Sequence, residues 1–249
     1  MISIIVSILV YLIWLILSFP FLLIYFIFTF ICSLFVKNKN YEKDNKLYRS
    51  LFNTWTWVVI KVMRIKVEVE GKDLVSKKDK ILFVGNHVSN FDSIITWKVF
   101  KNHNISYISK KSNFKIPIFG KIVRRCCFLE IDRENPRNAL KTIIKASELL
   151  HNQEVSIGVY PEGTRNKIDD KLLPFHNGVF KIAQKAKSSI VVIALEGANN
   201  IHKNYPWKKS IVKLNVVDVI NEVEVSNLSS QEIGERVKEK LEKAINKES

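Results

Sequence analysis

The first 36 residues carry no charged side chain, and this feature constrains the fold more than any other. The segment consists mainly of Leu, Ile, Val and aromatic residues. As one helix it would extend about 54 Å, whereas the hydrocarbon core of a bilayer is only about 30 Å thick. The sequence therefore predicts a hydrophobic membrane anchor over residues 1–36. Pro20 allows two forms of it, a kinked and tilted helix or two short helices in a re-entrant hairpin.

A cationic cluster follows the anchor directly and consists of Lys37, Lys39, Lys43, Lys46 and Arg49. By the positive-inside tendency, it places this boundary on the cytoplasmic side of the inner membrane, with the remaining chain in the cytoplasm. Since no charge lies before residue 37, the net charge of +15 belongs to that remaining part and predicts anionic partners. The anchor favours membrane lipids over nucleic acid, for which the chain carries no recognition motif.

Beyond the anchor, short apolar runs alternate with helical patterns. Strands are predicted over residues 65–69, 81–84, 105–108, 128–131, 155–160, 190–195 and 211–219, and helices between them over about 93–101, 136–151 and 176–187. This alternation predicts an α/β fold with a largely parallel sheet flanked by helices, and active loops at the carboxyl ends of the strands. We divide the chain into an anchor, 1–36, a basic and amphipathic interfacial segment, 37–64, and a catalytic domain, 65–249.

Two further segments mix apolar and basic residues. Residues 45–64 have helical apolar spacing and form either a helix at the membrane and the anchor or a helix that faces the core. Residues 114–125 interleave Phe, Ile and Val with four cations. This segment is either an interface between lipid headgroups and acyl chains, or a packed helix with a solvated basic face.

A histidine and a carboxylate stand where the predicted strand 81–84 ends, in the sequence Asn-His-Val-Ser-Asn-Phe-Asp at residues 86–92. Asp92 can accept a hydrogen bond from one imidazole nitrogen of His87 and fix its tautomer. The other nitrogen is then free to take a proton from a hydroxyl. The alternative is an ordinary polar strand end.

A second loop, residues 159–165, follows another apolar run. Gly163 permits close approach of a ligand to the backbone, Thr164 offers a hydroxyl, and Arg165 presents a guanidinium that matches a phosphate oxygen pair. An ordinary turn is the plain alternative. A nucleotide-binding P-loop is a weaker one, because Thr-Arg replaces the Lys-Ser/Thr that the P-loop requires.

His87, Asp92 and Glu162 also allow a metal site with one imidazole and two carboxylates, as in a membrane hydrolase. We favour proton transfer by His87 and Asp92 over this metal site.

Together these segments resemble the glycerolipid acyltransferase family, which includes the 1-acyl-sn-glycerol-3-phosphate (lysophosphatidic acid) acyltransferases, over about residues 60–200. Its first motif, Asn-His-x-Ser-x-x-Asp, is matched by Asn86, His87, Ser89 and Asp92. Its Pro-Glu-Gly-Thr-Arg motif is matched by residues 161–165. Residues 110–120 and 128–133 resemble the stretches between these motifs. Val192 departs from the family pattern, which has a proline in its fourth motif.

The resemblance implies that His87 is the general base and that Asp92 orients it, with Asn86 and Ser89 supporting the motif. It implies that the phosphate-bearing acceptor is bound by Glu162, Gly163, Thr164 and Arg165 together with Arg133. The chain lacks a Gly-x-Ser-x-Gly elbow, so direct attack of the hydroxyl on a thioester is expected rather than a covalent acyl-enzyme.

The expected reaction transfers an acyl chain to the sn-2 hydroxyl of lysophosphatidic acid and forms phosphatidic acid for phospholipid biosynthesis. The donor is acyl-coenzyme A or acyl-acyl carrier protein, which makes acyl carrier protein a candidate partner. No metal and no other cofactor are expected. The alternatives are an acyltransferase for another lysolipid and a non-catalytic lipid-binding protein.

Overall fold

The computed structural model describes residues 2–77, 79–166 and 171–246. Within these ranges the chain forms a seven-stranded sheet. Its strands are β1 Ile65–Glu70, β2 Leu82–Gly85, β3 Ile105–Lys110, β4 Leu129–Ile131, β5 Ser156–Val159, β6 Ile190–Glu196 and β7 Ser210–Ile220. The α-helices are α1 Ile2–Leu34, α2 Lys46–Val62, α3 Asp92–Val99, α4 Phe119–Arg125, α5 Pro136–His151, α6 Lys181–Ala186, α7 Ile201–Asn204, α8 Glu222–Asn227 and α9 Ser230–Ile245.

The strand order is β1-β7-β6-β2-β5-β3-β4, and every neighbouring pair is parallel except β6 and β7. This confirms the predicted fold class. Apolar packing covers both faces of the sheet, since Phe83 belongs to one buried cluster and its neighbours Leu82 and Val84 belong to the other. All four residues of β2 and all four of β5 are buried for this reason. The two central strands end side by side, where both sequence motifs begin.

The helices largely follow the predicted pattern. The predicted segment 176–187 begins with a 3₁₀ turn at Asn177–Phe180 and continues as α6. A capping box between Ser229 and Glu232 begins α9, with both reciprocal hydrogen bonds formed.

The anchor is one continuous helix through Pro20 rather than a re-entrant hairpin. Residues 6–34 are long and apolar enough to cross a membrane, with a mean hydropathy of 2.5, and only 11% of the most apolar part is buried within the protein. The helix packs along α2, where the Tyr25 hydroxyl donates to the Leu51 carbonyl at 2.7 Å and the Tyr48 hydroxyl donates to the Cys32 carbonyl at 3.0 Å. The exposed apolar side chains of α1 therefore suit a lipid environment.

The interfacial helix α2 lies between the anchor and the core. On its inner side the Phe52 ring meets the Trp97 ring edge-on, with centroids 4.4 Å apart. Residues 114–125 are also divided, because Phe114 and Val123 are buried whereas Lys115 and Ile116 are exposed. The helix α2 thus contacts both the anchor and the core, and residues 114–125 pack partly into the core, while their contact with lipid stays a prediction. The division of the chain at residues 36 and 64 stays a prediction.

Gly158 in β5 has a packing function. A Cβ at this position would lie 2.3 Å from Tyr107 Cε1 and 3.0 Å from Ile105 Cγ2. The Tyr107 ring occupies the space that a side chain would need. Glycine is therefore required inside this buried strand because a ring packs directly on its backbone.

We predict that Gly158→Ala lowers the free energy of unfolding by about 1–3 kcal/mol, because the buried ring must shift to admit the methyl group. Gly178→Ala is the matched control, since a Cβ there meets no atom within 4 Å. The control should change the free energy of unfolding by about 0.5 kcal/mol or less. Denaturant unfolding in detergent micelles measures both variants, and equal effects would contradict the packing explanation.

Candidate active site

His87 and Asp92 form a buried hydrogen-bonded pair at the carboxyl end of β2. The His87 Nδ1 atom lies 2.8 Å from Asp92 Oδ2, which also accepts the backbone N–H groups of Val88 and Ser89 at 2.8 Å each. The Asp92 side chain is fully buried, whereas the imidazole of His87 retains 21% of its exposure. One edge of the imidazole is thus fixed to a carboxylate, while the ring still reaches the surface.

The contacts of Asp92 determine the tautomer of His87. Burial raises the pKa of Asp92, and the hydrogen bonds from His87, Ser89 and Val88 oppose that rise. Oδ2 already accepts two backbone N–H groups and therefore acts as an acceptor, which assigns the proton of this third contact to Nδ1 of His87. The Nε2 atom is then the unprotonated nitrogen that can accept a proton.

Asn86 and Ser89 hold the loop that carries the pair. The Asn86 side chain donates to the Leu195 carbonyl at 2.9 Å and accepts from the Leu195 amide at 2.8 Å, which extends the pairing of β2 with β6 by one residue. The Ser89 hydroxyl accepts the Phe91 amide at 3.3 Å. Both side chains are buried and bond to the backbone, and their supporting role in the motif stays a prediction.

The loop after β5 clamps the backbone of His87 from two sides. Glu162 is buried, and its Oε1 accepts the His87 amide at 2.8 Å while its Oε2 accepts the Leu173 amide at 3.0 Å. The Asn166 amide donates to the His87 carbonyl at 2.6 Å. Burial also raises the pKa of Glu162. Glu162 therefore braces the two motifs against each other, and its direct contact with a substrate stays a prediction.

The remaining predicted binding residues are open to solvent. Gly163 has a φ of 67°, which lets the loop turn outward, and Thr164 and Arg165 beyond it are exposed. Within the described residues the Arg165 guanidinium makes no ion pair. Arg133 is also exposed, but it follows β4, which is separated from β5 by β3 and so lies about 10 Å along the sheet. The structure thus brings Arg165 to the loop beside His87 and places Arg133 farther along the same edge.

Sequence reasoning missed two aromatic neighbours of the site. The Tyr160 ring stacks on the His87 ring, with centroids 4.4 Å apart and planes 14° apart. His176 donates its amide to the Pro161 carbonyl at 2.9 Å, and its ring lies beside Gly163. Tyr160 directly precedes the second motif, so its position was a usable signal. No sequence pattern indicates His176, because only the tertiary structure brings this residue back to the loop.

Two alternatives from the sequence receive no support from these contacts. A P-loop leads directly into a helix after its second glycine, but residues 164–166 are not helical. For a metal site, Glu162 already uses both oxygens for backbone amides, while Asp92 Oδ2 is in contact with three nitrogens and Oδ1 is fully buried. Nowhere in residues 2–77, 79–166 and 171–246 do three or more His, Cys, Asp or Glu side chains form a metal-binding group.

The sheet and the histidine-aspartate pair at its carboxyl edge define the chain as an α/β enzyme. The family model described as Acyltransferase matches residues 66–196, more than half of the sequence. The chain belongs to this acyltransferase family.

Similar proteins agree with this family. The 1-acyl-sn-glycerol-3-phosphate acyltransferase of Borreliella burgdorferi is 26% identical over 183 residues, which cover 73% of this chain and 72% of that protein. The enzyme of the same name from Haemophilus influenzae is 27% identical over 167 residues, covering 67% and 69%. The crystal structure of the 1-acyl-sn-glycerophosphate (LPA) acyltransferase from Thermotoga maritima shares the fold, with a TM-score of 0.69 at 21% identity over 95% of this chain and 92% of that one.

We predict that Glu162→Gln lowers the free energy of unfolding by about 1.5–3 kcal/mol. The side-chain NH₂ group of glutamine would replace one acceptor oxygen and would then face a backbone N–H, so that two donors oppose each other. Acyl transfer should fall as well, since the His87 backbone loses one of its two clamps. Glu148→Gln is the matched control, because that side chain is 52% exposed in its ion pair with Lys145. The control should cost about 0.5 kcal/mol or less. Thermal unfolding in detergent provides the comparison, and a neutral Glu162→Gln would disprove the brace.

Proposed function

We propose that this enzyme transfers an acyl chain from a thioester to the sn-2 hydroxyl of 1-acylglycerol-3-phosphate and so makes phosphatidic acid. The observation that carries the proposal is the hydrogen bond of 2.8 Å between His87 Nδ1 and the buried Asp92. The names of the relatives supply the acceptor, since those enzymes are acyltransferases for 1-acyl-sn-glycerol-3-phosphate.

The geometry supports a direct transfer. Asp92 holds His87 in the tautomer that leaves Nε2 unprotonated, and Nε2 takes the proton of the acceptor hydroxyl. The hydroxyl oxygen attacks the thioester carbonyl and forms the new ester bond as the carbon-sulfur bond breaks. The imidazolium of His87 returns its proton to the departing sulfur, which leaves as a free thiol. General base and general acid are thus the same residue.

A cleft formed with the anchor helix fits an amphiphilic acceptor. It has a volume of about 590 Å³, a size typical of ligand sites, and lies between the end of α1 and the segment after β3. Phe30 and Leu34 of α1 supply apolar surface on one side, while Lys111 and Lys115 add positive charge on the other. An acyl chain can therefore reach the cleft from the membrane, with its phosphate near the exposed cations.

The proposed setting is the inner membrane, with the catalytic part in the cytoplasm, where acyl-coenzyme A and acyl-acyl carrier protein both occur. The basic segment after α1 supports this orientation. Other lysolipids are the alternative acceptors. Variants of Arg165 distinguish an acceptor with a terminal phosphate from an uncharged acceptor.

We predict that His87→Ala reduces turnover about 10² to 10⁴-fold, because the base is removed without loss of an anchor contact. Asp92→Asn should also cause a large loss, since an amide at this position favours the wrong tautomer. His151→Ala is the control, because His151 is an exposed histidine on α5. Release of free thiol from either thioester donor reports turnover. A well-folded His87→Ala enzyme with normal turnover would refute the mechanism, and the absence of any thiol release by the native enzyme would favour a lipid-binding protein.

We predict that Arg165→Ala weakens kcat/KM for lysophosphatidic acid about 10- to 150-fold, the loss expected for one charge-assisted hydrogen bond to phosphate. Arg165→Lys should recover only part of this loss, because an ammonium lacks the two-pronged fit of guanidinium. An uncharged monoacylglycerol serves as the control acceptor and should be affected much less. Equal losses on both acceptors would show that Arg165 serves the donor or the fold instead.

A further inference from the structure

The imidazole of His87 lies at the end of a column of aromatic rings that extends into the core. Its ring stacks on Tyr160, and the Tyr160 ring is nearly parallel to that of Tyr107, with centroids 6.1 Å apart and planes 5° apart. Tyr107 in turn meets Phe128 edge-on at 5.6 Å. The column therefore fixes one face of the imidazole, while Asp92 fixes its edge.

One strand glycine makes room for this column. The Tyr107 ring occupies the side-chain space of Gly158, where a Cβ would lie 2.3 Å from Tyr107 Cε1. Tyr107 is 5% exposed. The Tyr160 ring therefore lies between the His87 ring and a buried ring that packs on the β5 backbone.

Tyr160 does not exchange protons itself. Burial raises the pKa of its phenol well above the usual value, and the nearby Tyr107 and the Asp92 charge raise it further. Its hydroxyl is buried and lies near the side chains of Thr96 and Tyr107. Only the ring of Tyr160 contacts the imidazole, so any effect on His87 acts through the ring.

We propose that Tyr160 is a positioning residue for His87: its ring holds the imidazole in the plane in which Nδ1 meets Asp92, and its face stabilises the imidazolium that forms during transfer. This inference rests on the proposed function, in which Nε2 takes the acceptor proton. The face of an aromatic ring carries negative potential and attracts a cation. The charged groups packed against His87 are Asp92 at Nδ1 and Glu162 at the backbone amide, and the ring adds to their attraction for the imidazolium.

The test compares Tyr160→Leu with Tyr160→Phe, which keeps the ring and removes only the hydroxyl. Phe83→Leu is the matched control, because it also removes a buried ring from the neighbouring strand without contact to His87. If Tyr160→Leu does not fold, Tyr160→Met replaces it, since an unbranched side chain fills irregular space. All variants are assayed as full-length protein in detergent micelles.

We expect Tyr160→Leu to lower kcat about 3- to 10-fold, the change that corresponds to loss of one stacked ring pair, with KM for both substrates nearly unchanged. The acid limb of the pH profile should move to lower pH by about 0.5 unit, because the imidazolium loses a stabilising contact. Tyr160→Phe should match the native enzyme in both respects.

A second readout does not depend on activity. In the native protein the His87 Nδ1 proton should give a downfield NMR signal from its hydrogen bond to Asp92, assigned by its loss in His87→Ala. This signal should be unchanged in Tyr160→Phe and Phe83→Leu and should shift and broaden in Tyr160→Leu. If the signal and the acid limb of Tyr160→Leu match those of Phe83→Leu, or if Tyr160→Phe behaves as Tyr160→Leu does, the proposal is overturned. A failure of the proposed function would instead leave the NMR result intact while no variant transfers acyl groups.

Discussion

Asp92 Oδ2 is the atom on which the arrangement of the site depends. It is fully buried and accepts three hydrogen bonds, one from the His87 ring and two from backbone amides of the same loop. A buried carboxylate without such donors would cost several kcal/mol, so the loop has to fold around it in the one form that supplies them. The same hydrogen bonds orient the imidazole of His87. The contacts of Asp92 Oδ2 therefore serve both the stability of the loop and the geometry of the catalytic histidine.

A second buried carboxylate joins this loop to a segment far away in the sequence. Glu162 accepts the amide of His87, 75 residues earlier in the chain, and the amide of Leu173. This link is possible because β2 and β5 are neighbours in the sheet and end at the same edge. The two charged residues of the second motif thus have different surroundings, since Glu162 is a buried acid that holds the backbone and Arg165 is exposed to solvent.

The membrane helix is coupled to this domain through α2. Hydroxyls of Tyr25 and Tyr48 tie the end of α1 to α2 and to the start of the basic segment, and Phe52 carries the contact on to the core. The cleft between α1 and the segment after β3 is therefore formed partly by the anchor itself.

The sequence by itself determined the features that rest on local pattern. The charge-free start predicts an apolar helix, alternation of apolar runs predicts the parallel α/β sheet, and the spacing of His87 and Asp92 predicts their hydrogen bond. Only the tertiary structure decided that the anchor is continuous through Pro20, that Glu162 braces His87, and that Tyr160 stacks on it. These outcomes depend on which strands pair and on which buried N–H groups still need an acceptor. Both are decided by contacts between residues that lie far apart in the chain.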